Sequence, residues 1–246
     1  MAGPDHVRIS GHCPICEAPA VYEAHAPYFR NSLICTTCPK GSVPRERAVA
    51  LVLNETRPDW RRLAVHECSP APRGISLKLQ AQCQQYVKSN YFEGERPGAM
   101  VRGHRNENLE AQTFSDATFD IVITVDVFEH LFDPAAALRE VFRTLRPGGV
   151  MISAFPMVKQ LADATRWRSR RGPDGSITHI LPEQYHGNPI SNDGSLVTVD
   201  YGYDAHLAFA EWAPFDVRVL RFADRSAGIL GEFTDVVVCT KPASSR

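Results

Sequence analysis

Short apolar runs and segments of helical spacing alternate along the chain from about residue 61 onward. Apolar runs occupy residues 63–65, 119–125 and 149–153, and helix-period segments occupy residues 75–83 and 134–145. Strands that alternate with helices are typical of βαβ units, in which neighbouring strands run parallel. The pattern therefore predicts an α/β fold built on a mostly parallel sheet with helices packed against it.

The clearest predicted element is the helix over residues 134–145. Its apolar positions fall on one stripe, and the Pro-Gly-Gly sequence at 147–149 ends it. The stripe consists of Leu131, Ala135, Leu138, Val141, Phe142 and Leu145. The segment 157–205 has no sustained period and is rich in turn-forming residues, which predicts a loop-rich insertion. A strand-like pattern returns at residues 215–220 and 234–239.

Four cysteines near the N-terminus form two Cys-x-x-Cys pairs, Cys13 with Cys16 and Cys35 with Cys38. Two such turns can point four thiolates at one centre, which is the tetrahedral ligand set of a structural zinc ion. Two disulfides would need an oxidising compartment that nothing else in the sequence indicates, and a redox pair needs only one of the two turns. The spacing therefore predicts a zinc-ribbon module over residues 1–42, with a zinc ion that has no open position for catalysis.

A helix is predicted directly after this module, because Pro44 precedes apolar residues at helical spacing and Pro58 ends the pattern. The expected organisation is a module over 1–42, a connecting helix over 43–60 and a larger domain over 61–246. The insertion at about 157–205 belongs to this larger domain.

Composition and charge are those of an ordinary globular protein, with 43% hydrophobic residues and a formal net charge of -1. Near-neutral charge argues against bulk electrostatic binding to nucleic acid or to an anionic membrane. No apolar run approaches the roughly 18 residues that cross a bilayer, and the N-terminus lacks the basic-then-apolar layout of a secretory signal. We expect a cytoplasmic protein with no membrane contact and without nucleic acid as a partner.

An ordered set of motifs resembles the class I S-adenosylmethionine-dependent methyltransferases. Residues 119–131 read FDIVITVDVFEHL, and LRPGG follows the next helix at 145–149. In that family the same pattern gives the fourth strand, the helix after it and the turn into the fifth strand. The resemblance covers about residues 61–155 and implies a Rossmann-like sheet of seven strands. Combined with the four-cysteine module, the chain is similar to a bacterial group of zinc-ribbon methyltransferase-like proteins.

The resemblance also implies where the cofactor, S-adenosylmethionine, would bind. Glu67 matches the acidic residue that opens the family's first loop. The glycines that usually follow it are replaced at Ser69 and beyond, which leaves Gly74. Ser89 and Asn90 stand where the family usually places a ribose-binding acid. The other implied contacts are Glu107, Asn108 and Leu109 on the adenine side and Asp126, Val127 and Phe128 after the fourth strand.

Methyl transfer asks a protein to align a sulfonium methyl with a nucleophile, to exclude water and, for some acceptors, to take a proton. His130 could take that proton, because the ordinary pKa of imidazole is about 6.5. The alternative is that Glu129 and His130 only cap and pack the following helix. Tyr185 and His186, in the loop-rich insertion, are predicted to contact the substrate.

These patterns predict a methyltransferase that acts on oxygen or nitrogen of a small-molecule or glycan-type acceptor. One alternative is an RNA base methyltransferase, for which Arg168 and Arg171 in the basic run 166–171 would contact phosphate. Such a run is also typical of a solvated face. The other alternative is a non-catalytic methyltransferase fold whose zinc module docks a protein partner.

Overall fold

The computed structural model describes residues 6–158, 161–188 and 191–243. Residues 1–5 of the predicted module, and 159–160 and 189–190 of the predicted insertion, lie outside the described residues. The first half of the chain contains β1 (Val7–Cys13), β2 (Ala18–Ala24), α1 (Phe29–Ser32), β3 (Ile34–Cys35), α2 (Pro44–Thr56), β4 (Ala64–Cys68), α3 (Gly74–Gln82), β5 (Gln85–Asn90), β6 (Met100–Val101), β7 (His104–Asn106) and β8 (Phe119–Val125). The second half contains α4 (Pro134–Thr144), β9 (Leu145–Ala154), β10 (Arg166–Trp167), β11 (Ser169–Arg171), β12 (Ile177–His179), β13 (Tyr185–Asn188), β14 (Ser191–Leu196), β15 (Val199–Asp200), α5 (Ala205–Trp212), β16 (Asp216–Leu220) and β17 (Val236–Thr240).

A mixed sheet with a parallel centre organises the molecule, in the order β16-β17-β9-β8-β4-β5-β7-β6. Strands β9, β8, β4, β5 and β7 run parallel, and β17 runs antiparallel to both of its neighbours. The Rossmann-like, mostly parallel architecture is therefore confirmed. The sheet has eight strands rather than the expected seven, because the two-residue β6 pairs with β7 and extends that edge.

Helices cover both faces of this sheet, as the sequence predicts. One face carries Val65, Ile121 and Ile152, which share a core cluster with α2 and α3. The alternate positions, such as Val122 and Met151, pack with α4 and α5 on the other face. Strand β8 is apolar along most of its length because both of its faces are buried.

Local sequence sets the start of α4, which leads away from the end of β8. Pro134 occupies the first turn, where its missing N–H leaves no hydrogen bond unmade. The carboxylate of Asp133 accepts a hydrogen bond from the backbone N–H of Ala136 at 2.8 Å, which caps the helix. Ala137, Leu138 and Val141 then lie on the buried face.

The N-terminal module packs on the α2 face of the sheet and shares one core cluster with it. Arg47 of α2 is fully buried and joins the two parts. Its guanidinium donates hydrogen bonds to the carbonyls of Leu33 (2.9 Å) and Gly228 (2.6 Å) and lies 4.7 Å from the ring centroid of Tyr22. The module therefore depends on the larger domain for part of its core.

The prediction of loops for residues 157–205 is wrong for much of the described part of that segment. Three two-stranded antiparallel sheets occupy it: β10 with β15, β11 with β12, and β13 with β14. These strands are two to six residues long. They carry polar and charged side chains, so they leave no apolar period in the sequence. None of the helices in the described part of the chain is long and apolar enough to cross a membrane.

Candidate active site

A cavity of about 710 Å³ lies beyond the carboxyl ends of the parallel strands, where open α/β sheets bind their ligands. The end of β4 and the loop after it form one wall, and the ends of β5, β7 and β8 form the others. The predicted cofactor residues that line it are Ser69, Ser89, Asn90, Glu107, Asn108, Leu109, Asp126 and Val127. The sheet therefore brings together side chains that lie up to 58 positions apart in the sequence.

The loop after β4 stays open although prolines replace its glycines. Ser69 adopts the left-handed conformation, with φ of 53°, which normally favours glycine. Its N–H donates to the carbonyl of Ser89 (2.8 Å), and its hydroxyl donates to the side-chain carbonyl of Asn90 (3.2 Å). These bonds hold the serine in a conformation that costs about 1–2 kcal/mol. Pro72 lies in the cavity wall without filling the cavity.

Two acidic side chains on the cavity wall are fixed by basic partners. Glu107 accepts hydrogen bonds from Arg105 (2.6 Å) and from the backbone N–H of Thr113 (2.8 Å). Asp126, at the end of β8, forms ion pairs with the buried Arg30 and with Arg45 (2.6 Å). Burial lowers the pKa of Arg30, and the Asp126 carboxylate opposes that effect. The N-terminal part of the chain thus reaches the cavity wall through two arginines.

Glu67, Gly74 and Phe128 do not line this cavity. Glu67 lies on the face of the sheet that α3 covers, where its carboxylate accepts hydrogen bonds from Ser76 (2.5 Å) and Tyr86 (2.6 Å). A Cβ at Gly74 would overlap the Glu46 carboxylate, so glycine is required for close packing of α3 against α2. The Phe128 ring is buried among Phe155 and Phe209. The side chains at 67 and 128, and the glycine at 74, therefore have structural contacts in place of the cofactor contacts that the family resemblance implied.

Replacement of Glu67 by glutamine is expected to change how stability depends on pH. Burial raises the pKa of Glu67 from about 4.5 to about 7, so the folded state favours the protonated form. Protonated Glu67 stabilises the folded state relative to the ionised form. This contribution is complete below about pH 4.5, and the free energy of unfolding has fallen by about 3 kcal/mol once the pH has risen through about 7. Urea unfolding measures the free energy of unfolding at about pH 4.5 and about pH 8. Between these two pH values the wild type should lose about 3 kcal/mol more than Glu67→Gln loses. The exposed Glu232→Gln should show no such difference from the wild type, and an equal response of both variants would contradict the prediction.

A second cavity of about 530 Å³ adjoins the first, and Arg45, Asp126, His130 and Gly187 border both. The three predicted catalytic residues all line this second cavity. The rings of His130 and His186 meet edge to face with centroids 5.3 Å apart. Tyr185 is exposed and its hydroxyl donates to Glu183 at 2.8 Å. The structure therefore places the two histidines next to each other, with Tyr185 on the rim.

The four predicted metal ligands of the N-terminal module come together. The Sγ atoms of Cys13, Cys16, Cys35 and Cys38 all lie within 4.8 Å of one another. Cys13 and Cys35 are buried at the ends of β1 and β3, and Cys38 is buried in the turn that follows. This arrangement fits the four-thiolate ligand set of a tetrahedral metal ion.

Comparisons with known proteins agree with this geometry. Residues 75–153 match a family model described as a methyltransferase domain. Over 86 residues the chain is 44% identical to a probable S-adenosylmethionine-dependent methyltransferase of Mycolicibacterium smegmatis, covering 35% of this chain and 30% of that protein. Over about a third of its length, the chain is therefore similar to S-adenosylmethionine-dependent methyltransferases. Over 81 residues it is also 39% identical to a ubiquinone biosynthesis O-methyltransferase of Parvibaculum lavamentivorans, covering 33% of this chain and 32% of that protein.

The matched part spans about a third of the length of these curated relatives. Solved structures extend the likeness of fold beyond it. A methyltransferase from Mesorhizobium loti superposes with a TM-score of 0.51 at 14% identity, covering 78% of this chain and 97% of that one. A glycopeptide N-methyltransferase complexed with sinefungin gives a TM-score of 0.52 at 15% identity, covering 82% and 94%. These likenesses show the methyltransferase fold.

The sequence does not indicate three of the residues at the candidate site. Arg30 and Arg45 belong to the N-terminal part, and no local pattern connects them with the end of β8. The sequence predicts Glu129 only as part of a helix cap, but its side chain is 1% exposed and faces His130 and His186. The acidic residue directly before His130 in the segment 119–131 is the sequence signal that could have indicated Glu129.

The basic run 166–171 is largely engaged within the molecule. Arg168 donates to Asp200 at 2.7 Å, and Arg166 lies 3.6 Å from the same carboxylate. The guanidinium of Arg171 lies 4.2 Å from the ring centroid of Phe132, at the border of the first cavity. Arg170 is exposed, and its guanidinium lies 5.8 Å from the ring centroid of Trp167.

Proposed function

We propose that the methyltransferase domain binds S-adenosylmethionine in the first cavity and transfers its methyl group to an acceptor in the second. The observation that carries this proposal is the convergence of most family-implied cofactor residues on one cavity at the carboxyl edge of the sheet. A cavity of about 710 Å³ lies within the range of sites for cofactors and small molecules. The second cavity opens beside it, so cofactor and acceptor can meet.

The proposed reaction breaks the sulfur–methyl bond, whose electrons stay on sulfur, and forms a bond from the methyl carbon to oxygen or nitrogen of the acceptor. The acceptor loses one proton to a base. His130 is our first candidate for this base, which is supported by the hydrogen bond that its Nδ1 donates to the carbonyl of Leu196 (2.8 Å), because this bond leaves Nε2 as the acceptor atom. His186 is the second candidate base, and Tyr185 on the rim would contact the acceptor.

A small-molecule or glycan-type acceptor is supported by the size of the second cavity, about 530 Å³. One relative is named as an O-methyltransferase and one fold neighbour as an N-methyltransferase. The proposal therefore includes both oxygen and nitrogen as the methylated atom. An RNA acceptor is disfavoured because Arg168, expected to contact phosphate, is ion-paired with the buried Asp200.

We propose that the four-cysteine cluster holds a structural zinc ion. The packing of the four thiols supports it, because each turn offers two sulfur ligands and all four Sγ atoms lie within 4.8 Å of one another. The cytoplasmic location predicted from the sequence would keep the thiols reduced and available for the ion. Docking of a protein partner through this module stays a prediction.

Filling the first cavity is expected to abolish cofactor binding. Ala71 lies in the cavity wall, so Ala71→Trp would place an indole where the cofactor is proposed to lie. Isothermal titration with S-adenosylmethionine and with its demethylated product should show at least about a 100-fold loss of affinity, about 2.7 kcal/mol. The matched control is Ala210→Trp on the exposed side of α5. No binding by the wild type, or equal binding by both variants, would count against the proposal.

A further inference from the structure

Glu129, His130 and His186 form a cluster at the border of the two cavities. The Glu129 Oε1 atom lies 3.8 Å from the Nε2 atom of His130 and 3.5 Å from the Nδ1 atom of His186. One ligand atom from each residue lies within 4.8 Å of the others. Two imidazoles and a carboxylate with an open position are a ligand set found in catalytic zinc sites. The cluster is independent of the four-cysteine module, which has its own ligands.

The Glu129 carboxylate is buried without a hydrogen bond from any described residue. This holds for both oxygen atoms, and the side chain is 1% exposed. Arg30, whose charge interacts with Glu129, donates instead to Asp126 and to the carbonyl of Phe233 (2.7 Å). A buried carboxylate without hydrogen bonds destabilises the folded state. A cation between Glu129 and the two histidines would remove that destabilisation.

One nitrogen atom of each imidazole faces Glu129. His130 donates from Nδ1 to the carbonyl of Leu196, which leaves the lone pair of Nε2 towards Glu129, and metal-binding histidines commonly donate from the other ring nitrogen in this way. His186 accepts a hydrogen bond at Nε2 from the side-chain amide nitrogen of Gln184 (3.1 Å), and its Nδ1 lies 3.5 Å from Glu129. Metal binding through this Nδ1 would release the proton that the neutral ring carries there.

We propose that Glu129, His130 and His186 bind a divalent transition-metal ion, with zinc as the simplest candidate, and that its open position faces the second cavity. The ion would select an acceptor with an oxygen atom that can coordinate it, such as a hydroxyl beside the methylated position. This catalytic consequence rests on the proposed function, whereas metal binding itself does not. With the ion bound, the two histidines are ligands and the acceptor's proton passes to water.

Metal content measured by mass spectrometry tests the site in the full-length protein. After equilibration with zinc and removal of loosely bound ion, the wild type should hold two equivalents, one in each site. Glu129→Gln and His186→Ala should each hold one. The matched control, His206→Ala, removes an exposed histidine outside the cluster and should hold two. Retention of the four-cysteine equivalent shows that each variant is folded.

Cobalt absorption separates the two sites by their ligands. Sulfur-to-cobalt charge-transfer bands report the four-cysteine site, and weaker bands of a nitrogen and oxygen environment should vanish only in Glu129→Gln and His186→Ala. A wild type with a single equivalent, or variants with unchanged metal content, would overturn the proposal and favour a metal-free proton relay. Titration of S-adenosylmethionine into the same samples keeps the two proposals apart, because cofactor binding does not require this ion.

Discussion

Asp126→Asn is expected to lower the free energy of unfolding by about 3–5 kcal/mol, because it leaves the guanidinium groups of two buried arginines without their counter-charge. Arg30 and Arg45 are 5% and 7% exposed and both form ion pairs with Asp126. Asparagine keeps the shape of the side chain and one hydrogen-bond acceptor. The decrease in the free energy of unfolding therefore measures the effect of removing the negative charge. Urea unfolding followed by circular dichroism measures it.

The same substitution should weaken cofactor binding, since Asp126 lies on the wall of the first cavity. The matched control is Asp216→Asn, at an exposed position of β16, which should change stability by less than about 0.5 kcal/mol. A loss at Asp126 no larger than at Asp216 would show that the two arginines find other partners, and would contradict the role given to this ion-pair cluster.

Cys35→Ser is expected to have the largest effect on the folded state. It removes one of four proposed zinc ligands, and structural zinc in small modules supplies on the order of 10 kcal/mol of folding free energy. The module shares its core with α2 and the sheet. We therefore expect a loss of at least about 5 kcal/mol, enough to unfold most of the chain, since whole domains are stable by about 5–15 kcal/mol.

Thermal unfolding with and without a chelator measures this effect. Chelation should lower the midpoint of the wild type, whereas Cys35→Ser should show little or no cooperative transition with or without the chelator. The control is Cys83→Ser, because Cys83 lies outside the cluster and its thiol donates to the carbonyls of Trp60 and Leu63, which a serine hydroxyl can also do. If the wild type keeps its midpoint in chelator and contains no zinc, the cluster does not hold a structural ion.

The centre of the fold could be predicted because its local signals agree. Residues 119–125 are apolar at every position except Asp120 and Thr124, which indicates a strand buried on both faces, and they form β8. The amphipathic stripe and the Pro-Gly-Gly stop predict α4 within one residue of its observed bounds. Short polar strands such as β11 and β13 gave no such signal, because their pairing depends on neighbours and not on a buried face.

The sequence predicts the candidate site best at the carboxyl ends of strands, where the order of the motifs matches that of the family. Ser89, Glu107 and Asp126 are such positions. The sequence does not predict the site at positions where the direction of the side chain decides whether a residue lines the cavity. Glu67 shares the acidic identity that the resemblance requires, but the alternation of β4 turns it towards α3. Arg30 and Arg45 come from a part of the chain predicted to serve the metal, and only the folded structure brings them to Asp126.

The common wall between the two cavities, which includes Asp126 and His130, has a consequence for inhibitor design. A nucleoside fragment and an acceptor-like fragment bound on either side would be separated by little more than this border. Joining them through a short tether would make the second contact intramolecular, so that two weak fragments combine into one tight compound. Such a bisubstrate compound would gain selectivity from the acceptor side, because the cofactor side resembles that of many other methyltransferases.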